Sequence, residues 1–308
     1  MSTTLPQFDV PESLRLYRRE VTAGGLRFHL YDAGRGPAWV LLHGLADEAD
    51  SWRHVIPALA QTHRVIAPDL PGFGRTERPQ RAYTPGFFVR AVAALLEELG
   101  LGEVALVGNS LGAEIAARLA LERPRLVNRL VLVDGPSLGG GVSPALLRML
   151  VPGLGERYYT RLRASQDEAY ATLRPYYADL EALPPEDRAF LRERVWARVW
   201  SDGQRRAFFS TLRQAALASL TGGSRFREAL KHLQVPTLIV WGEKDYIVPV
   251  AVGQALAALI PKAKLQVIPS CGHLPQQEKP EELVRLLLLP ALLRREPLQP
   301  TFDLPDQV

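Results

Sequence analysis

The chemistry available to this chain gathers around one serine. An apolar stretch, Val104-Ala105-Leu106-Val107, runs into Gly108-Asn109-Ser110-Leu111-Gly112, after which Ala113-Glu114-Ile115-Ala116-Ala117 takes up a helical pattern. That order predicts a strand, a sharp turn and a helix, with Ser110 at the turn. So tight a turn strains the backbone at its apex, and any side chain at 108 or 112 would collide with the adjoining strand and helix. Ser110 is thereby left exposed above the sheet edge. Free N–H groups and the dipole at the helix start favour negative charge developing beside it. A serine hydroxyl is a weak nucleophile at neutral pH, so it needs a base, and the base needs a group that fixes its tautomer.

Of the six histidines, His273 sits in a Gly-His turn after a late strand, Ala263 to Ile268, and is the candidate base. His29 lies in an alternating strand pattern, His54 and His63 flank a short helix, and His232 is near a helix end, places where a histidine serves packing. Two acids stand just past strands, where a parallel sheet gathers its functional loops. One is Asp245, in the turn Gly242-Glu243-Lys244-Asp245 after Pro236 to Trp241, with Glu243 beside it. The other is Asp134, closing Arg129 to Val133. Residue types alone leave both open. His43-Gly44-Leu45-Ala46 follows the strand Ala38 to Leu42, and such a turn presents backbone N–H groups toward the nucleophile. The N–H of Leu111, with that of Leu45 or Ala46, would form an oxyanion hole, each donor typically worth about 3 kcal/mol in the transition state. His43 is then a loop-shaping residue and not the base.

The elements that must hold these residues are legible as a rhythm. Strand patterns fall near 17–22, 26–32, 38–42, 64–68, 104–108, 129–134, 236–241 and 264–268 and alternate with helices from about residue 52 onward, which predicts a mostly parallel sheet covered on both faces. Ala23-Gly24-Gly25 is a hairpin signal, so the sheet starts antiparallel. Between Asp134 and Pro236 the strand rhythm stops. That stretch reads as helices at 143–150, 155–177, 184–200, 204–219 and 224–233, with Gly139-Gly140-Gly141 and Gly222-Gly223 as flexible joints. The division is a core of 1–135 and 234–308 with an all-helical cap of 136–233. The cap folds over the sheet's carboxyl edge, and its aromatics, among them Tyr159, Tyr176, Tyr177 and Trp196, suit an apolar substrate.

The Ser110 turn, the His43-Gly44 turn, Asp245 and His273 together resemble the α/β-hydrolase superfamily over nearly the whole chain. Asp69-Leu70-Pro71-Gly72-Phe73-Gly74 and Gln277-Glu278-Lys279-Pro280 also match it, Asp69 as a brace for its turn. The resemblance implies an α/β-hydrolase fold, an eight-stranded sheet with a helical cap, and a nucleophile–acid–base order of Ser110, Asp245 and His273, because the Gly-x-x-Asp turn is similar to the family's usual acid loop. It implies an acyl-enzyme mechanism on carboxylic esters with no metal or organic cofactor. Asn before the serine also resembles the C–C bond hydrolases of ring-cleavage dienoates, although those usually place Trp after the base, where this chain has Leu274. A ligand-binding receptor on the same fold is the alternative from another class.

Composition is compatible with all of this. The chain has 308 residues, 47% hydrophobic, enough for a large core. Its net charge of +4 is spread without a basic cluster, which argues against nucleic-acid binding. The lone Cys271 excludes an internal disulfide and fits a cytoplasmic location. No signal-peptide pattern opens the sequence, and the stretch Leu286 to Leu293 is far shorter than the roughly 20 residues a membrane span needs. The expected partner is a small-molecule ester, with the chain a monomer or homodimer.

Overall fold

A computed structural model describes residues 9–138 and 148–289. The expectations for the Gly139 to Gly141 joint, the start of the 143–150 helix, the opening residues and the tail from Pro297 lie outside the described residues.

The strands are β1 (Arg18–Ala23), β2 (Leu26–Ala33), β3 (Ala38–Leu42), β4 (Arg64–Pro68), β5 (Val104–Asn109), β6 (Val127–Val133), β7 (Thr237–Gly242) and β8 (Lys264–Ile268). They form an eight-stranded sheet in the order β1-β2-β4-β3-β5-β6-β7-β8. β2 pairs antiparallel with β1 and β4, and every pairing from β4 through β8 is parallel. Gly24 and Gly25 both have positive φ, 55° and 76°, which is what a tight primed hairpin turn between β1 and β2 requires.

Successive residues of a strand face opposite sides of a sheet, and here both sides are covered. Val40, Leu106 and Ile239 belong to one core, whereas their neighbours Trp39, Val107 and Val240 belong to the other. The short helix α1 (Ile56–Leu59) and the late helix α10 (Pro280–Leu287) close the Trp39 side, while α2 (Pro85–Glu98), α3 (Leu111–Glu122) and α8 (Val250–Leu259) close the Val40 side. β5 is buried along its whole length, as a central parallel strand must be.

Between β6 and β7 the described residues contain helices and no strand: α4 (Leu154–Arg161), α5 (Gln166–Ala171), α6 (Pro185–Trp200) and α7 (Asp202–Leu230). Leu162, Tyr170, Tyr177, Leu191 and Val195 make a core of their own here, joined by Leu274 from the segment after His273. Two expectations need correction. The helix expected over 155–177 is broken into short pieces, because Ser165 leaves helical geometry at φ −148° to accept the Glu168 N–H as a cap, and Pro175 lies in a separate turn. Gly222-Gly223 is no joint, since α7 runs straight through it. Phe226 and Leu230 are buried against the core, and Arg118 stacks over Phe226 at 4.2 Å, so packing outweighs the weak helix propensity of the two glycines. Among the described residues no helix is long and apolar enough to cross a membrane.

A Cβ at Gly222 would meet nothing within 4 Å. Gly222→Ala is therefore expected to raise stability by about 0.5–1 kcal/mol in urea unfolding. An unchanged or lower stability would contradict an unbroken helix here.

Candidate active site

The turn after β5 is fixed by backbone contact. A Cβ on Gly108 would lie 2.2 Å from the Gly112 carbonyl group, and one on Gly112 would lie 2.3 Å from the Leu42 carbonyl oxygen. Strand β5, helix α3 and strand β3 thus meet at distances only glycine permits. Ser110, between them, is held at φ 55° and ψ −112°, a region costly to any residue with a side chain. Its N–H donates to Val133 at 2.9 Å and its carbonyl accepts from Ala113 and Glu114. The hydroxyl has no hydrogen-bond partner among the described residues and remains available.

His273 and Asp245 are together. His273 Nδ1 lies 2.7 Å from Asp245 Oδ2, while Asp245 Oδ1 accepts the N–H groups of Ile247 and Val248 at 2.8 and 2.9 Å. With Nδ1 donating to the carboxylate, Nε2 carries the lone pair, the tautomer a base needs. The loop bearing His273 is tied on both sides. Its N–H donates to Tyr176 of the helical insertion at 2.8 Å, and its carbonyl accepts Asn109 Nδ2 at 3.0 Å. Asn109 therefore ties the base loop to the strand carrying the serine. Asp134, the rival acid, is fully buried, and its Oδ1 accepts the Gly242 N–H at 2.8 Å. Burial, reinforced by the neighbouring Asp245, pushes its carboxyl well above the ordinary range. Glu243 braces the next turn by accepting the Ser270 N–H.

The His43 turn follows from one tautomer. His43 Nε2 accepts the Leu70 N–H at 2.8 Å, so Nδ1 bears the proton and donates it to the Gly44 carbonyl at 2.8 Å. In a planar trans peptide the next N–H points opposite to that carbonyl. The Leu45 N–H is thus aimed away from the imidazole. Gly44 itself packs on Ser110, since a Cβ there would lie 3.4 Å from the serine Cβ. The Leu111 amide is the first of α3 and has no carbonyl of its own helix to reach. Asp69 braces its turn as expected, accepting from Ala49 and Arg75 N–H groups at 2.7 and 2.8 Å.

Sequence reasoning passed over a second group of residues. Directly after the His43 turn, buried Asp47 and Glu48 receive Arg198 from α6: Nη2 donates to Asp47 at 2.7 Å, and Nε and Nη2 to Glu48 at 2.9 and 2.7 Å. Burial raises the Glu48 carboxyl even against this guanidinium. Glu278 joins the His273 loop to the insertion, its two oxygens accepting the Gly272 and Ala178 N–H groups at 2.7 and 2.8 Å. No local pattern marks these, because each pairs residues a hundred or more apart or depends on a loop's fold. Cys271 is fully buried and burial drives its thiol well up, which leaves it a packing residue. Among the described residues the atoms close enough to share a metal ion are those of Asp134, Asp245 and His273, within 4.8 Å of one another, and an ion there would have to break the Asp245–His273 bond.

The alpha/beta hydrolase fold model matches residues 37–280, a span holding Ser110, Asp245, His273 and the His43 turn. The chain belongs to that family. It is 32% identical over 274 residues to a 2-hydroxymuconate semialdehyde hydrolase of Pseudomonas sp. (strain CF600), covering 88% of this chain and 92% of that one. To a 2-hydroxy-6-oxo-6-phenylhexa-2,4-dienoate hydrolase of Burkholderia cepacia it is 31% identical, covering 85% and 90%. A solved meta-cleavage product hydrolase from Pseudomonas fluorescens IP01 superposes with a TM-score of 0.73 at 28% identity, over 87% of this chain and 95% of that one.

Arg198→Met would leave Asp47 and Glu48 buried without their cation. It is expected to cost about 3–5 kcal/mol in urea unfolding, and a loss below about 1 kcal/mol would show the pair to be solvated instead.

Proposed function

We propose that this alpha/beta hydrolase uses Ser110, His273 and Asp245 as nucleophile, base and orienting acid to cleave the C–C bond of a ring-cleavage dienoate beside its ketone. The observation that carries the substrate class is the likeness, at 30–33% identity over most of both chains, to hydrolases named for such dienoates. The chemistry rests on the 2.7 Å contact between His273 and Asp245 and on the strained serine. Ser110 adds to the carbonyl carbon as His273 Nε2 takes its proton, and the N–H groups of Leu45 and Leu111 receive the oxyanion. The bond to the dienoate carbon then breaks, that carbon takes up the proton, and water releases the acyl group by the same route. Residues 136–233 serve as a cap over core segments 1–135 and 234–308, the Tyr176 segment of the cap lying directly on His273.

Ester hydrolysis, the first expectation from the sequence, stands as a second reading on two specific observations. Leu274 occupies the position after the base, and Arg198, a cation of the cap beside the His43 turn, is already paired to Asp47 and Glu48, whereas a dienoate brings a carboxylate of its own.

Loss of colour from a ring-cleavage dienoate, set beside hydrolysis of p-nitrophenyl esters from acetate to palmitate, decides between the two. Dienoate turnover well above ester turnover is expected, falling by about 10⁶ in Ser110→Ala. Ester turnover peaking at one chain length with no dienoate cleavage would move the assignment to the second reading, and a Ser110→Ala protein active on both would remove the serine from its role.

A further inference from the structure

Asp134 has no place in the steps above, yet it is buried within reach of them. It closes β6 at φ 49° with no measurable exposure, and one of its oxygens lies within 4.8 Å of a carboxylate oxygen of Asp245 and a ring nitrogen of His273. Oδ1 is satisfied by the Gly242 N–H. Oδ2 is buried with no hydrogen-bond partner among the described residues. The groups facing it from the packed elements are Asp245 and His273 from the loops after β7 and β8, Glu278 from α9 (Pro275–Glu278), and the Cys271 thiol. The charge of Lys279 acts on two members of this cluster, Glu278 and Cys271. Two carboxylates side by side in a dry site cannot both stay ionised without a cation between them.

We propose that Asp134 carries a proton and donates it in a hydrogen bond to the Asp245 carboxylate, making Asp134 a positioning residue behind the acid that orients His273. The inference rests on the assignment of Asp245 and His273 made above. Burial first, and then the Asp245 charge, push the Asp134 carboxyl well above the ordinary carboxylate range. The bond shares part of the Asp245 charge, so that His273 is oriented without being made too basic to give its proton back. The surroundings of the two acids differ: Asp245 accepts two backbone N–H groups on the oxygen turned away from His273, and Asp134 accepts one.

The test is the titration of His273, followed by NMR of its ring and by the acid limb of kcat/KM, in wild type, Asp134→Asn and Asp134→Leu. Asparagine keeps a neutral donor, so the His273 titration is expected to stay where it is, with kcat within a few-fold. Leucine removes the donor and leaves the full Asp245 charge on the imidazolium, so the titration is expected to move up and kcat to fall about 10- to 100-fold with KM little changed. A downward shift in Asp134→Asn would mean that a negative charge had been removed, and would overturn the proposal. So would a leucine variant indistinguishable from wild type. Should leucine prevent folding, the asparagine titration decides alone. Because that readout needs no turnover, it separates this proposal from the assignment of Ser110, which Ser110→Ala tests.

Discussion

Three backbones meet at Gly108 and Gly112 more closely than any side chain would allow, and the site hangs from that contact. With β5 pressed on α3 and α3 on β3, the residue between has no freedom to relax, and Ser110 is driven into a conformation that a flexible turn would abandon. The strain is held because β5 is buried between the two cores of the sheet and the first turns of α3 are buried in the larger of them. Stability of the sheet is thereby converted into placement of one hydroxyl. The same contact brings the His43 turn against Ser110 through Gly44, so the proposed nucleophile and oxyanion donors share a frame and need no separate device to align them.

Around that frame the polar contacts work as ties between distant segments. Asn109 joins the serine strand to the His273 loop, Glu278 joins the His273 loop to the helical insertion, and Arg198 joins the insertion to the His43 turn. Each tie ends within a few residues of Ser110, His273 or the His43 turn. Buried ion pairs contribute little net stability against apolar packing, but they are costly to break. Their effect is to make one arrangement of insertion and core far better than its neighbours. A shift of the insertion would strand Asp47 and Glu48 without a cation and the His273 amide without its acceptor.

Much of this was legible in sequence because it rests on local rules. Glycine at 108 and 112 around a serine, apolar strands followed by helices, and an Asp and a His each in a turn after a late strand are all patterns within about ten residues. The hairpin at Gly24-Gly25 and the bracing role of Asp69 are of the same kind. What was not legible depends on contacts that sequence order hides. Gly222-Gly223 reads as a joint until Phe226 and Leu230 are seen to be buried just beyond it. Residues 155–177 read as one helix until Ser165 is seen capping a new one. Asp134 and Asp245 could be ranked but not seen as neighbours, because β6 and β7 lie side by side only after a hundred intervening residues are folded away. Asn109 suggested a substrate class in the sequence; in the structure its amide is occupied in holding the base loop.

The proposed function requires Ser110 to be activated by His273 held by Asp245. Its most direct test is covalent labelling of the full chain with a fluorophosphonate, followed by intact mass and peptide mapping. One adduct per chain is predicted, on the peptide carrying Ser110, forming orders of magnitude more slowly in His273→Ala. Labelling at another residue, or at Ser110 with a rate indifferent to His273, would rule out that activation.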